Sequence, residues 1–262
     1  MSALKSITID GRRVAYREAG HGPAIVFLHG LGGNAASWEP QFETFAGRYR
    51  LVAWDMPGFG ESELLAVSEA STHDYSSLAR KFTAVIGIER AIGVGTSYGT
   101  VILADLAASN PGLISGMVFA CGVTGMGERE PQERARLRAV RRGEIESLGQ
   151  RKFAEIRNST YVANTALVVR VVELAASAQP EGYMQAYGAL TESNIFNSLS
   201  KLDLPALVLA GANDPIAKAG DCERVARALH ASYRCIENCG HYVNLEQAET
   251  FNRLLGDFLT RV

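Results

Sequence analysis

The segment that most limits how this chain can fold is Gly93-Val94-Gly95-Thr96-Ser97-Tyr98-Gly99-Thr100. A short apolar strand pattern, Ala91-Ile92, leads into it, and a helical run from Val101 to Ala108 leaves it. Gly95-Thr96-Ser97-Tyr98-Gly99 thus sets a serine between two glycines at a strand-to-helix junction. A serine at the tip of so tight a turn holds a strained backbone and projects its Oγ above the sheet. The residues two before and two after approach the neighbouring strand and helix so closely that a Cβ would collide, which explains both glycines. The backbone N–H of Tyr98, at the positive start of the new helix, is then free to face an oxyanion.

The rest of the chain supplies a frame for this turn. Ser6–Ile9 and Arg12–Arg17 flank Asp10-Gly11, a two-residue hairpin signal, and read as an antiparallel opening pair. Ala24–Leu28 is a continuous apolar run, as expected of a strand covered on both faces. A helix is expected from Ala35 to Phe45, a strand over Leu51–Trp54, a helix from Tyr75 to Ile86, and a strand from Leu113 to Ala120. From Gly122 to Pro205 no strand-like run occurs. That interval is helical, arginine-rich and punctuated by Gly143, Gly149, Pro180 and Gly182, and reads as a cap over the strand ends. Alternation then resumes with a strand over Ala206–Ala210, a helix over Asp221–Leu229, a strand over Tyr233–Ile236 and a closing helix over Asn244–Leu259. Such alternation predicts an α/β fold, a mostly parallel twisted sheet flanked by helices, with the helical cap inserted after the sixth strand. One domain is expected, its core formed by residues 1–121 and 202–262 and its cap by about 122–201.

Composition narrows the function. The 262 residues are 47% hydrophobic and 21% charged, enough apolar material for a sizeable core, and the formal net charge of -2 offers no attraction for nucleic acid or an anionic membrane. No apolar run at Met1–Ser6 has signal-peptide length, and no stretch is long enough to span a bilayer. Cys121, Cys222, Cys235 and Cys239 lack metal-ligand or disulfide-framework spacing, so a reducing cytoplasm and no metal are expected. The sequon Asn158-Ser159-Thr160 is expected to be idle. A small-molecule substrate is the expected partner, with homo-oligomerisation left open.

In parallel sheets, ligands gather at the carboxyl ends of strands. Two apolar runs end in acid and base: Gly211-Ala212-Asn213-Asp214-Pro215 follows one, and Glu237-Asn238-Cys239-Gly240-His241 the other. With Ser97 they give the chain order Ser, Asp, His. Asp55 is the rival acid, since it too follows a strand, but Asp55-Met56-Pro57-Gly58-Phe59-Gly60 reads better as a shaped turn. His21, His73 and His230 sit in loops or near a helix end, and His29 opens a glycine-rich turn, which leaves His241 as the base. A serine hydroxyl needs such a base to act as a nucleophile at neutral pH, and a carboxylate to orient that base. The oxyanion would be held by the N–H groups of Tyr98 and of Leu31 in the His29-Gly30-Leu31 turn. This chemistry calls for no cofactor.

His29-Gly30, Asp55 with Gly58 and Gly60, Gly95-x-Ser97-x-Gly99, Gly211-x-x-Asp214 and Gly240-His241 together resemble the α/β-hydrolase superfamily over nearly the whole chain. Thr100, where the family commonly has a second glycine, and Thr96, where it often has His or Asn, depart from the pattern and bear on helix packing. His29-Gly30-Leu31-Gly32, Pro180-Glu181-Gly182-Tyr183 and Asn244-Leu245-Glu246-Gln247 with Phe251-Asn252 are similar to the 3-oxoadipate enol-lactonases. That resemblance implies hydrolysis of a small anionic lactone in aromatic catabolism. The Asp55–Gly60 turn is equally similar to meta-cleavage-product hydrolases, which cut a carbon–carbon bond with the same triad, and some superfamily members are ligand-binding receptors. His29, Gly30, Trp54, Tyr183 and Arg138 are the expected substrate contacts. Arg138 stands for a cap series of Arg134, Arg136, Arg138, Arg141, Arg142, Arg151 and Arg157, from which one or two are expected to meet a substrate carboxylate.

Overall fold

A computed structural model describes residues 2–262. Eight strands form one sheet: β1 (Leu4–Ile9), β2 (Arg12–Ala19), β3 (Ala24–Leu28), β4 (Arg50–Trp54), β5 (Ala91–Thr96), β6 (Ile114–Ala120), β7 (Ala206–Gly211) and β8 (Ser232–Ile236). Their spatial order is β1-β2-β4-β3-β5-β6-β7-β8. β2 runs antiparallel to β1 and β4, and every later pairing is parallel. Asp10 and Gly11 both have positive φ, 51° and 76°, the backbone that a two-residue hairpin between right-twisted strands requires. The apolar run of β3 lies between β4 and β5, and Ile25, Phe27 and Leu28 are wholly buried there.

The helices of the sheet layer are α1 (Glu39–Phe45), α2 (Thr72–Val85), α3 (Tyr98–Ser109), α8 (Ala219–Ala228), α9 (Val243–Glu246) and α10 (Ala248–Leu259), with a 3₁₀ turn over Ala35–Trp38. α2 begins three residues before the expected Tyr75 because Ser71 and Asp74 form a capping box that satisfies its first amides. The closing helix is two helices rather than one, parted at Gln247 with φ -129° and ψ 47°. Trp38, Trp54, Phe27, Phe45, Phe82 and Phe251 are completely enclosed in the core.

Between β6 and β7 lie α4 (Pro131–Asn158), a 3₁₀ turn at Thr165–Leu167, α5 (Val168–Ala176), α6 (Pro180–Glu192) and α7 (Phe196–Leu199). Of the four expected breaks two are real. Gly149 interrupts α4 with φ 73° and ψ 156°, and Pro180 opens α6 at its first turn, where a missing N–H costs nothing. Gly143 and Gly182 lie within helices, so the expectation of breaks there was wrong. Gly182 serves contact instead. A Cβ on it would stand 2.4 Å from the Cα of Gly58, so two glycine backbones touch where α6 meets the Asp55–Gly60 turn. The Gln179 N–H donates to Gly58 O at 2.8 Å, and its side-chain amide to Ser62 O at 3.0 Å. This turn is thus the floor on which the inserted helices rest.

Candidate active site

Ser97 lies between β5 and α3 with φ 51° and ψ -123°, a conformation that costs an L-residue energy and is held by its surroundings. Its N–H donates to Ala120 O at 3.2 Å, and its own carbonyl accepts from Thr100 N at 3.0 Å and Thr100 Oγ1 at 2.6 Å. The flanking glycines are sterically required. A Cβ on Gly95 would lie 2.8 Å from the Gly99 carbonyl carbon, and one on Gly99 would lie 2.1 Å from Leu28 O. Thr100 is accommodated by Gly122, whose added Cβ would already stand 3.1 Å from Thr100 Oγ1. The close packing that a second glycine would allow on α3 is thus supplied from the facing loop.

The loops after β7 and β8 bring an acid to a base. His241 Nδ1 lies 2.7 Å from Asp214 Oδ2, and a carboxylate only accepts, so Nδ1 carries the proton and Nε2 is left as a base. The other oxygen, Oδ1, accepts from Ile216 N at 2.7 Å and Ala217 N at 3.0 Å, which fixes the carboxylate in its turn. Asp214 has no exposed side-chain surface, and His241 is nearly as deep. Asp55 goes elsewhere: its oxygens accept from Ala35 N at 2.7 Å and Glu61 N at 3.0 Å, holding two loops.

Ser97, His241 and Leu31 line one cavity of about 270 Å³ between the strand ends and the inserted helices. Among the described residues Ser97 and His241 line the same cavity without a hydrogen bond between their side chains. Among the described residues the N–H groups of Leu31 and Tyr98 have no protein acceptor. Gly30 lies against the serine, since its added Cβ would be 2.6 Å from Ser97 Cβ. Tyr98 contributes only backbone, its ring being enclosed and its hydroxyl 3.1 Å from Thr72 Oγ1.

Cys121 is a rival nucleophile by position, its sulfur within 4.8 Å of ligand atoms of Asp214 and His241. Burial, with the Asp214 charge beside it, pushes its thiol well above the ordinary range, which disfavours the nucleophilic thiolate. The three groups are poorly disposed for a metal, because the imidazole and carboxylate already bind each other.

The expected substrate contacts divide. Tyr183 lines the cavity. His29, Gly30, Trp54 and Arg138 do not, and these expectations are corrected; Gly30 packs against Ser97 instead. The His29 ring is buried, its Nε2 accepting from Met56 N at 2.8 Å and its Nδ1 donating to Gly30 O at 2.8 Å, so it ties two loops together. Burial lowers its proton affinity, against the opposing pull of the Gly30 carbonyl and Asp55. Trp54 is wholly enclosed, 6.3 Å from the Phe82 ring. Arg138 turns to Glu192 and to Thr191 Oγ1 at 2.9 Å.

Arg141 and Arg157 of the same helix are the ones that line the cavity. A helix turns about 100° per residue, and its sequence carries no mark of which arginine faces the site. The Arg141 guanidinium lies 4.4 Å from the Tyr187 ring centroid, donates to Tyr183 Oη at 2.6 Å and stands 3.0 Å from Glu144. Only 11% of its side chain is exposed. Arg157 packs over Phe153 and Tyr161. Tyr242 and Asn158, joined at 2.6 Å, line the cavity as well and were not anticipated; adjacency to His241 was the one available signal for Tyr242.

The model of the "Alpha/beta hydrolase family" matches residues 25–254. The chain is 30% identical to the (E)-2-((N-methylformamido)methylene)succinate hydrolase of Acinetobacter baylyi over 97% of each protein. It is 23% identical to 3-oxoadipate enol-lactonase 1 of the same organism over 100% of both. Its fold superposes with a TM-score of 0.87 on the enol-lactonase from Burkholderia xenovorans LB400, at 21% identity, covering 98% of this chain and 100% of that one.

Proposed function

Since this chain belongs to the alpha/beta hydrolase family, we propose that it is a serine hydrolase of small esters or lactones that works without a cofactor. Ser97 attacks the substrate carbonyl carbon while His241 Nε2 takes the hydroxyl proton. The imidazolium, stabilised by Asp214, then protonates the leaving oxygen. Water, activated by the same imidazole, releases the acyl group from Ser97. The N–H groups of Leu31 and Tyr98 receive the oxyanion, each contributing roughly 3–4 kcal/mol to the transition state. One observation carries the reading: a 2.7 Å imidazole–carboxylate bond beside a cavity that the strained serine also lines. The helices of about 122–201 act as the cap of a single unit whose core is 1–121 and 202–262.

The substrate carries a carboxylate away from the scissile bond. Arg141 and Arg157 on the cavity wall support this, and the names of the two relatives, a succinate hydrolase and an oxoadipate enol-lactonase, belong to carboxylate compounds. Ser97→Ala is expected to lower kcat by several orders of magnitude with the fold unchanged. A fluorophosphonate probe should label the parent at Ser97 alone. Retained turnover in the variant would mean a different nucleophile, and an unlabelled parent would favour a ligand-binding receptor. Between an anionic lactone and its methyl ester, kcat/KM should favour the anion by about tenfold or more, and Arg141→Gln should abolish the preference. Equal efficiency would remove the carboxylate from the account. Bleaching of a dienol diketone faster than hydrolysis of any ester would move the chemistry to a carbon–carbon bond.

A further inference from the structure

The loop that carries His241 is held by a buried acid that the proposed chemistry does not use. Glu246, in the short helix α9, is 9% exposed, and among the described residues no basic side chain pairs with it. Its carboxylate accepts four backbone N–H groups. Oε1 takes Tyr242 N at 3.0 Å, and Oε2 takes Gly240 N at 3.2 Å, Ala163 N at 2.6 Å and Asn164 N at 3.2 Å. Two of these donors are the neighbours of His241 on either side. The other two belong to the strap that follows α4.

The strap and the loop also meet directly. His241 N donates to Tyr161 O at 2.7 Å, and the Tyr161 ring stands edge-on to the imidazole at 6.2 Å between centroids. A Cβ on Gly240 would lie 2.3 Å from Tyr161 O and 2.9 Å from Glu246 Oε1, so glycine is required for this approach. A carboxylate offers two oxygens, and here main chain engages both, with one donor on Oε1 and three on Oε2. An acid buried without a cation is costly to keep, and backbone amides drawn from two separate segments are what compensates it.

We propose that Glu246 is a positioning residue: by clamping the backbone on both sides of His241 to the strap at 161–164, it sets where the imidazole stands relative to Ser97. The segment that follows α4 is therefore fastened to the loop of the proposed base at this end. The proposal rests on the reading of His241 as the general base.

Glu246→Gln keeps the shape and one accepting oxygen but removes the charge and turns an NH₂ group toward at least one backbone N–H donor, so the clamp is weakened without loss of volume. In the folded variant kcat should fall about 100-fold with KM little changed, as for a displaced catalytic group. Labelling of Ser97 by a fluorophosphonate should slow in step. Hydrogen exchange at the amides of Gly240, Tyr242, Ala163 and Asn164 should quicken roughly tenfold or more. Glu246→Asp, which keeps both oxygens but reaches one methylene less, should give intermediate values and serves if the glutamine variant does not fold. Parental kcat and labelling in a folded variant would overturn the positioning role, and unchanged exchange at the four amides would overturn the clamp. A parent protein that fails to label at Ser97 would instead overturn the catalytic reading, while the exchange data would still decide whether the clamp exists.

Discussion

At the scale of single residues, the same residue type takes opposite roles according to its surroundings. His241 is held by Asp214 with one nitrogen free, whereas both nitrogens of His29 are committed to loop backbone. Burial is the principal cause lowering the proton affinity of His29, so the folded protein resists its protonation more than the unfolded chain does. The sign follows: the unfolded state binds more protons as pH falls through the ordinary histidine value of 6.5, and stability drops on that acid side. Unfolding free energy of the parent should therefore decline below about pH 6.5, and His29→Asn should show a shallower decline. Identical slopes in urea titrations across this range would contradict the assignment. The proposed triad residues Ser97, Asp214 and His241 could be singled out in the sequence because each follows a strand, and the structure pairs His241 with Asp214. Glu246 was visible only as one letter of a family-like motif, since nothing in its spacing reveals four main-chain donors.

At the scale of elements, boundaries followed local chemistry wherever that chemistry was strong. The hairpin at Asp10-Gly11, the strand Ala24–Leu28 and the turn around Ser97 all lie where turn and pattern signals put them. Glycines inside the helical insertion were harder. Gly149 adopts a left-handed φ and breaks α4, whereas Gly143 continues the helix and Gly182 is used for contact. A glycine by itself states only that a Cβ is absent, and the partner decides why. Gly182→Ala puts a methyl group 2.4 Å from the Gly58 backbone, where neither side has a flexible group to move. A loss of about 1–3 kcal/mol is expected, with faster limited proteolysis of the inserted helices. Parental stability in denaturant titrations would mean that the two elements meet more loosely.

At the scale of the whole molecule, the parallel register of β3 and β5 to β8 delivers the ends of distant segments to one rim. That rim collects the serine, the acid and the base, and the inserted helices close a cavity of about 270 Å³ above it. Among the described residues no helix is long and apolar enough to cross a membrane. Sequence alone determined the alternation of strands and helices, the strained serine turn and the placing of Asp214 and His241 in loops after strands, because each is a local property of a short stretch. Tertiary structure decided which arginines of α4 face inward, why Trp54 lies in the core, and what Glu246 holds. Those outcomes depend on helix rotation and on contacts between segments some eighty residues apart, for which no local spacing carries a signal.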